Sequence, residues 1–348
     1  MSRILIYGAN GYTGALIAEE AARRGLKPIL GGRNRDALEA LAQRLKLTRR
    51  VFELREGTEI LRNLDGVDVV LNCAGPFAYT CEPLLEACLA HKAHYLDITG
   101  EIDVFELCHH AHKRARHQGI VVAPGVGFDV VPTDSVAAML KQKLPDANQL
   151  VLAFEAGGGP SPGTARTSVA GLARGGRVRR NGELVEVPLA WKVREFEREG
   201  KQRSAMTIPW GDVYTAFVST GIPNIETYMV VSPKTIARTR WLRHVQPFLR
   251  FDAVRRFLEA RAVDRARGPD AERRAATGCY IWGEARDAAG REEKLALTTP
   301  NGYTLTVDAA LGILDHVLHA SVEGGYYTPS QLVGADFVLT LPGVRLAA

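Results

Sequence analysis

The sequence predicts an α/β protein, with an N-terminal Rossmann-type doubly wound parallel sheet followed by a second α+β domain containing an antiparallel sheet. Short apolar runs alternate with helical periodicity over about the first 145 residues. A glycine-rich turn, GANGYTG at residues 8–14, joins the first such run to the first helical stretch. Near Pro145 the rhythm shifts to longer, more alternating strands with fewer helices between them.

The elements follow in order. RILIY is a strand, and YTGALIAEEAARRG is a helix ending at Gly25, a plausible C-cap. KPILGG and RDALEALAQRL repeat the strand–helix pair. VFEL, DVVLNC, HYLDIT and GIVVAPG are further strands. CEPLLEACLAH and VFELCHHAHKRARHQG are the helices between them. These strands are continuous apolar runs, as in a parallel sheet covered on both faces. In the second domain, YIWGEARDAAGREEKLALTTPNGYTL predicts a hairpin around Asp287 to Arg291. Asp252 to Ala276, rich in arginine and acid, predicts a solvated helix and loop. TVDAALGILDHVLHAS is a last amphipathic helix. The expected domains are 1–147, dinucleotide-binding; 148–302, for substrate or dimerisation; and 303–348, a helical segment returning to pack on the first.

The 348 residues allow one large or two moderate domains. The net charge is +5, and the basic residues read as scattered or paired with acids, as in REFEREGKQR. That pattern predicts no nucleic-acid stripe and a mild preference for anionic ligands. Five cysteines without CxxC spacing predict reduced thiols. A strand begins almost at the amino terminus, so no signal segment is expected, and no apolar run reaches the length of a membrane span. A cytoplasmic protein follows, with a homodimer among its possible states.

The glycines run G-x-x-G-x-x-G. Gly8 turns the chain tightly, Gly11 lets backbone approach a diphosphate, and Gly14 allows close packing of helix on strand. Asn10, Tyr12 and Thr13 complete that loop. An NAD site would place Asp or Glu at the end of the second strand. The sequence there is GGRNR, with no acid before Asp36. Arg33, with Asn34, suits a ribose 2′-phosphate instead, which predicts NADP. After the fourth strand, Asn72, Ala74, Gly75, Pro76 and Phe77 form a turn of small residues suited to the nicotinamide half.

NCAGPFAYTCEPLLEAC, HYLDITGE and PGVGFDVVPTD, behind GANGYTG, resemble the saccharopine dehydrogenase-like oxidoreductases. The resemblance is strongest toward the branch with the trans-acting enoyl reductases, and it covers about the first 135 residues well. It implies a Rossmann domain, NADP, and a second domain over the nicotinamide. It does not imply saccharopine as substrate.

Asp97 and Glu101 follow the fifth strand, and Asp129 and Asp134 the sixth. Such strand ends face the ligand crevice of an open α/β sheet. Asp97, Glu101 and Asp129 are therefore candidates for acid–base work, with the alternative that each caps a helix or meets an arginine. Asp134 reads as a cap. Thr133 and Arg166 are substrate-contact candidates. No tyrosine has lysine four residues on, so ketone reduction by a Tyr-x-x-x-Lys acid is not expected. An imine carries its own positive charge, and an enoyl group could take a proton from solvent or a lone tyrosine. GPSPG matches a nucleophile elbow formally, but Pro162 lacks the N–H that an oxyanion hole needs. Cys108 and His112 have zinc spacing on a predicted helix, yet its polar, basic surroundings favour an exposed face and no metal site. The reading is an NADP-dependent oxidoreductase acting on an imine, amine or enoyl small molecule. The alternatives are a non-catalytic NADP-binding scaffold and an enoyl reductase serving a carrier-bound acyl chain.

Overall fold

The computed structural model describes residues 3–246 and 251–347. The chain divides into two compact units, Met1–Val131 with Tyr303–Gly334, and Pro132–Gly302 with Ala335–Ala348. The helix after the sixth strand thus falls in the second unit, whereas the sequence reading cut at 147.

The first unit holds β1 (Ile4–Tyr7), β2 (Ile29–Gly32), β3 (Arg49–Val51), β4 (Val69–Asn72), β5 (His94–Asp97) and β6 (Val121–Ala123). A short strand, Gly325–Tyr326, joins beside β6. All pairings are parallel, and β3-β2-β1-β4-β5-β6 is the Rossmann order, whose direction reverses between β1 and β4. Leu5, Ile6, Leu30, Val70, Leu71 and Leu96 are wholly buried, which explains why these strands read as unbroken apolar runs.

The helices are α1 (Tyr12–Arg23), α2 (Arg35–Leu45), α3 (Gly57–Leu64), α4 (Phe77–His91), α5 (Ile102–His110) and α6 (His112–Gln118). The single helix expected over 104–119 is two, divided at Ala111. Helix α3 was not expected, because its eight residues bury only Ile60 and Leu64, too few to display a period. The helix Gly302–His319 docks through Asp308, which takes Arg24 Nη2 at 2.5 Å, and Thr306 Oγ1, which accepts the Phe128 N–H at 3.0 Å.

The second unit contains α7 (Val131–Lys143), β7 (Gln149–Ala156), α8 (Pro162–Arg174), β8 (Gly176–Arg180), β9 (Glu183–Val187), β10 (Val193–Arg198), β11 (Lys201–Thr207), α9 (Asp212–Thr220), β12 (Asn224–Val230), α10 (Pro233–Leu242), α11 (Asp252–Arg265), β13 (Gly278–Arg286) and β14 (Glu292–Pro300). The sheet order is β10-β11-β12-β7-β13-β14, ending in the strand Arg345–Leu346. It is mixed, since β12 and β7 run parallel while the other pairings are antiparallel. The β13–β14 hairpin turns at 287–291, where the sequence places it. The sheet coils strongly: Phe196 of β10 and Trp282 of β13, four strands apart in order, bring their rings to 4.4 Å. Among the described residues no helix is long and apolar enough to cross a membrane.

Candidate cofactor-binding and active site

The carboxyl ends of β1 and β2 are shaped by missing side chains. Gly8 takes φ +80°, a left-handed value that only glycine adopts without strain. Its N–H and that of Ala9 both donate to Gly31 O, at 2.8 and 3.1 Å, fastening the turn to β2. A Cβ on Gly8 would lie 2.8 Å from Ala74 N, so this turn and the β4 turn abut. A Cβ on Gly14 would lie 2.3 Å from Gly8 O, which leaves no room for any side chain in the first turn of α1. Gly11 differs: a Cβ there would meet only Gly8 O, at 3.1 Å. Gly11 is the N-cap of α1, and the first turn, with Tyr12 and Thr13, has no acidic residue. That turn presents helix amides and a favourable dipole to an anion. The Tyr12 ring meets Tyr303 edge-on at 4.8 Å.

At the end of β2, the Asn10 carboxamide lies over Gly32, 3.0 Å from where a Cβ would be. Arg33 follows and is exposed. Its guanidinium pulls against the burial that pushes the Tyr7 phenol up to about 12, which sets its positive charge near the ends of β1 and β2. Asn34 has a structural duty beside any role toward a phosphate: its Oδ1 accepts the Ala37 N–H at 3.1 Å and caps α2.

The ends of β4, β5 and β6 are built from buried polar side chains instead. Asn72 donates from Nδ2 to Thr80 Oγ1 at 3.0 Å and to Tyr95 Oη at 3.2 Å, and its Oδ1 accepts the Ala74 N–H at 3.0 Å. Thr80 donates onward to Ala74 O at 2.7 Å, closing the turn that carries Ala74, Gly75 and Pro76. Tyr95 donates to Asp97 Oδ2 at 2.9 Å, and Asp97 Oδ1 accepts the N–H groups of Thr99 at 3.0 Å and Gly125 at 2.9 Å. Burial raises the Asp97 carboxyl to about 6 despite these donors. Asp97 is wholly buried, so it ties three strand ends together and touches no open surface.

Glu101 follows β5 and takes the capping alternative. Its carboxylate accepts the Phe77 N–H at 2.8 Å and the Ala78 N–H at 3.1 Å, capping α4, which has no acid of its own in its first turn. Its own N–H donates to Thr99 Oγ1 at 3.0 Å. Phe77 is the buried first residue of that helix.

Asp129 is half-buried and packs on Gly100, where a Cβ would meet its Oδ2 at 3.0 Å. Burial, and then the Glu101 charge, raise it to about 7. Both Asp97 and Asp129 are raised, as burial of a carboxyl dictates. The geometry gives two of the acids structural work, Asp97 fixing the scaffold and Glu101 capping a helix, while Asp129 packs on Gly100 with its carboxyl raised.

The cap expected at Asp134 is corrected, and the other residues singled out fall as follows. Asp134 lies within the first turn of α7 and accepts from Ser219 Oγ at 2.7 Å, so it is not an N-cap. Ser161 caps α8 by accepting the Thr164 N–H at 3.2 Å, which fits a turn and not a nucleophile. His112 Nδ1 accepts the Tyr326 N–H at 3.1 Å, while Cys108 packs against Cys81 with sulfurs 3.5 Å apart. Those thiols lie near Asp97, whose oxygens already hold three donors, and burial raises the Cys108 thiol well above its ordinary value, so the set does not suit a cation. Thr133, buried on α7, and Arg166, half-exposed on α8, belong to the second unit.

Sequence reasoning missed Tyr95 and Gly100. The Y-x-D spacing did carry a signal, since residues two apart on a strand share a face. Gly100 gave none, because its use lies in a residue 29 positions away.

Residues 4–122 match the saccharopine dehydrogenase NADP binding domain. The first unit carries that domain. The human saccharopine dehydrogenase-like oxidoreductase is 30% identical over 161 residues, 40% of this chain and 38% of that protein. The matched stretch is thus well under half of that relative's length. A lipid droplet localized protein of Caenorhabditis elegans is 26% identical over 307 residues, 74% of this chain and 71% of its own. A Mycobacterium tuberculosis protein provisionally named a trans-acting enoyl reductase is 32% identical over 183 residues, 46% of this chain and 42% of its own. The apo saccharopine dehydrogenase (L-Glu forming) of Saccharomyces cerevisiae superposes over both whole chains with a TM-score of 0.70 at 11% identity, a likeness of fold.

Proposed function

We propose that this protein is an NADP(H)-dependent oxidoreductase of the saccharopine dehydrogenase-like type, transferring hydride to or from an imine, amine or enoyl carbon of a small molecule. The observation that carries the reading is the pairing of an open helix N-terminus at Gly11 with Arg33 at the end of β2, where no carboxylate stands. A bound nicotinamide supplies or accepts the hydride. The backbone from Gly8 to Gly14, with the Asn10 side chain, frames the diphosphate. Arg33 takes the 2′-phosphate through charge-assisted hydrogen bonds, each contributing about 1.5–3 kcal/mol. Ala74 to Phe77 form the wall beside the nicotinamide, held by Asn72. Asp129 holds the proton that accompanies hydride, and Asp97 and Glu101 position the turns around it. Thr133 and Arg166 are the second unit's candidates for substrate contact, Arg166 for an anionic group.

An enoyl substrate is the second reading, favoured by the name of the mycobacterial relative and by the lack of a Tyr-x-x-x-Lys acid. Titration by nucleotide fluorescence tests the core of the proposal. NADPH should bind at least about tenfold more tightly than NADH; equal affinities would remove the assignment. Single-turnover NADPH oxidation with a cyclic imine and with an enoyl thioester then separates the substrate classes, and no oxidation with any acceptor would favour the scaffold alternative.

A further inference from the structure

The positive charge of the chain is concentrated, contrary to its scattered look. Residues 233–267 hold ten Lys and Arg against three Asp and Glu, a net +7 where the whole chain has +5. Everything outside this stretch is therefore slightly acidic.

The same stretch exposes apolar rings. Trp241 is 61% exposed, Phe251 63%, Phe257 60% and Val254 38%. Outside it, the exposed large apolar side chains among the described residues are Leu61, Tyr79 and Leu346, from three separate parts of the chain. On α11, Val254, Phe257 and Arg261 follow at i, i+3 and i+7, which puts them on one face. The Arg261 guanidinium stands 5.5 Å from the Phe257 ring.

The fold uses the other side of this stretch. Helix α11 packs antiparallel to α8: Gln246 lies beside Gly175 at the end of α8, and the Gly268 N–H donates to Pro160 O at 3.2 Å near its start. Leu258, Glu259, Ala262 and Val263 are the partly covered positions. Ile236 and Thr239 root α10, and Arg243 donates to Leu189 O and Ala190 O at 2.5 and 2.6 Å. The aromatic and basic face of α11 is left over, and on α10 Arg238 and Trp241 are exposed as well.

We propose that this face docks on a phospholipid surface bearing anionic headgroups. Trp241, Phe251 and Phe257 enter the interfacial layer, where aromatic rings are favoured. Arg238, Arg256 and Arg261 pair with the headgroups, as basic clusters do on anionic membranes. A second copy of the chain is a poor occupant, because a two-fold contact would set Arg256 and Arg261 of one copy against the same basic face of the other. This inference stands apart from the redox chemistry, and its test needs no turnover.

Flotation of the full chain with phosphatidylcholine vesicles, with and without phosphatidylserine, tests it. Binding should be at least about tenfold stronger with phosphatidylserine at low salt and should weaken as salt is raised. The double variant R256E/R261E should lose most of the phosphatidylserine preference. The pair W241S/F257S should lose the binding that survives high salt. All four positions are exposed, so circular dichroism and melting should stay as in the parent, and NADPH affinity should not change. Equal binding to both vesicles, or parent-like binding by R256E/R261E, would overturn the proposal. So would tighter capture by a nucleic-acid duplex, or a vesicle-free dimer that F257S disperses, since either gives the face another occupant.

Discussion

At the carboxyl ends of β1 and β2 the chain leaves side chains out, while at the ends of β4, β5 and β6 it fills the same edge with buried polar groups. Gly8, Gly11 and Gly14 on one side expose backbone and let elements close on one another. Asn72, Tyr95 and Asp97 on the other make a hydrogen-bonded chain across three strands. An extended, many-charged ligand is met best by backbone amides and space, which tolerate no side chain. A proton-handling group must instead be held in one orientation and partly dried, which takes fixed side chains around it. Under the proposed function, the two halves of one sheet edge divide cofactor binding from chemistry.

The sharpest way to break this contrast is at the glycines. Gly11→Val should weaken NADPH binding by more than about a hundredfold, because its branched side chain would stand where phosphate meets α1, while melting changes little. Gly14→Ala should instead lower the melting temperature, because its Cβ would press a backbone carbonyl at 2.3 Å. If both glycine variants fold and bind cofactor normally, the loop is only a turn.

On the polar side, Asp129→Asn should slow hydride transfer by about a hundredfold with NADPH affinity unchanged. A fall in melting temperature with full turnover per folded molecule would remove Asp129 as the acid. Arg33→Ala comes next, costing about ten- to a hundredfold in NADPH affinity and little in NADH affinity. A parallel loss of both would give Arg33 a structural role.

The smallest effect is on stability. The Asp129 pKa is raised in the folded state from 3.8 to about 7, so its contribution is fully present below about 4 and is lost as pH rises through 7. The melting temperature of Asp129→Asn relative to the parent should therefore climb across that window and level off above it. A difference that does not vary with pH would mean that Asp129 is not buried as a neutral acid.

The glycine side was legible in the sequence because its logic is local: three glycines and an arginine sit next to the strands they serve. Arg33 needed only the absence of an acid beside it. The polar side was half legible. Asp97, Glu101 and Asp129 could be placed at strand ends by chain order alone, but their separate duties depend on partners far away. Glu101 caps a helix that begins 24 residues earlier, and Asp129 needs the bare Cα of Gly100. The same limit applies to the second sheet, where the hairpin at 287–291 could be read from turn residues but the parallel β12–β7 pairing joins strands about 70 residues apart. The clustering of charge at 233–267 is present in the sequence but concealed at short range, because Asp252, Glu259 and Asp264 stand among its arginines.

The contact between Gly8 and Ala74 has a bearing on descent. With only 2.8 Å between a would-be Cβ at one position and the backbone of the other, neither turn can be redrawn alone. A lineage that enlarges the residue at 74 must move the first turn with it, and a lineage that lengthens the first turn must retract the fourth. Positions 8 and 74 are thus sterically coupled, and related chains should change them together or keep both small.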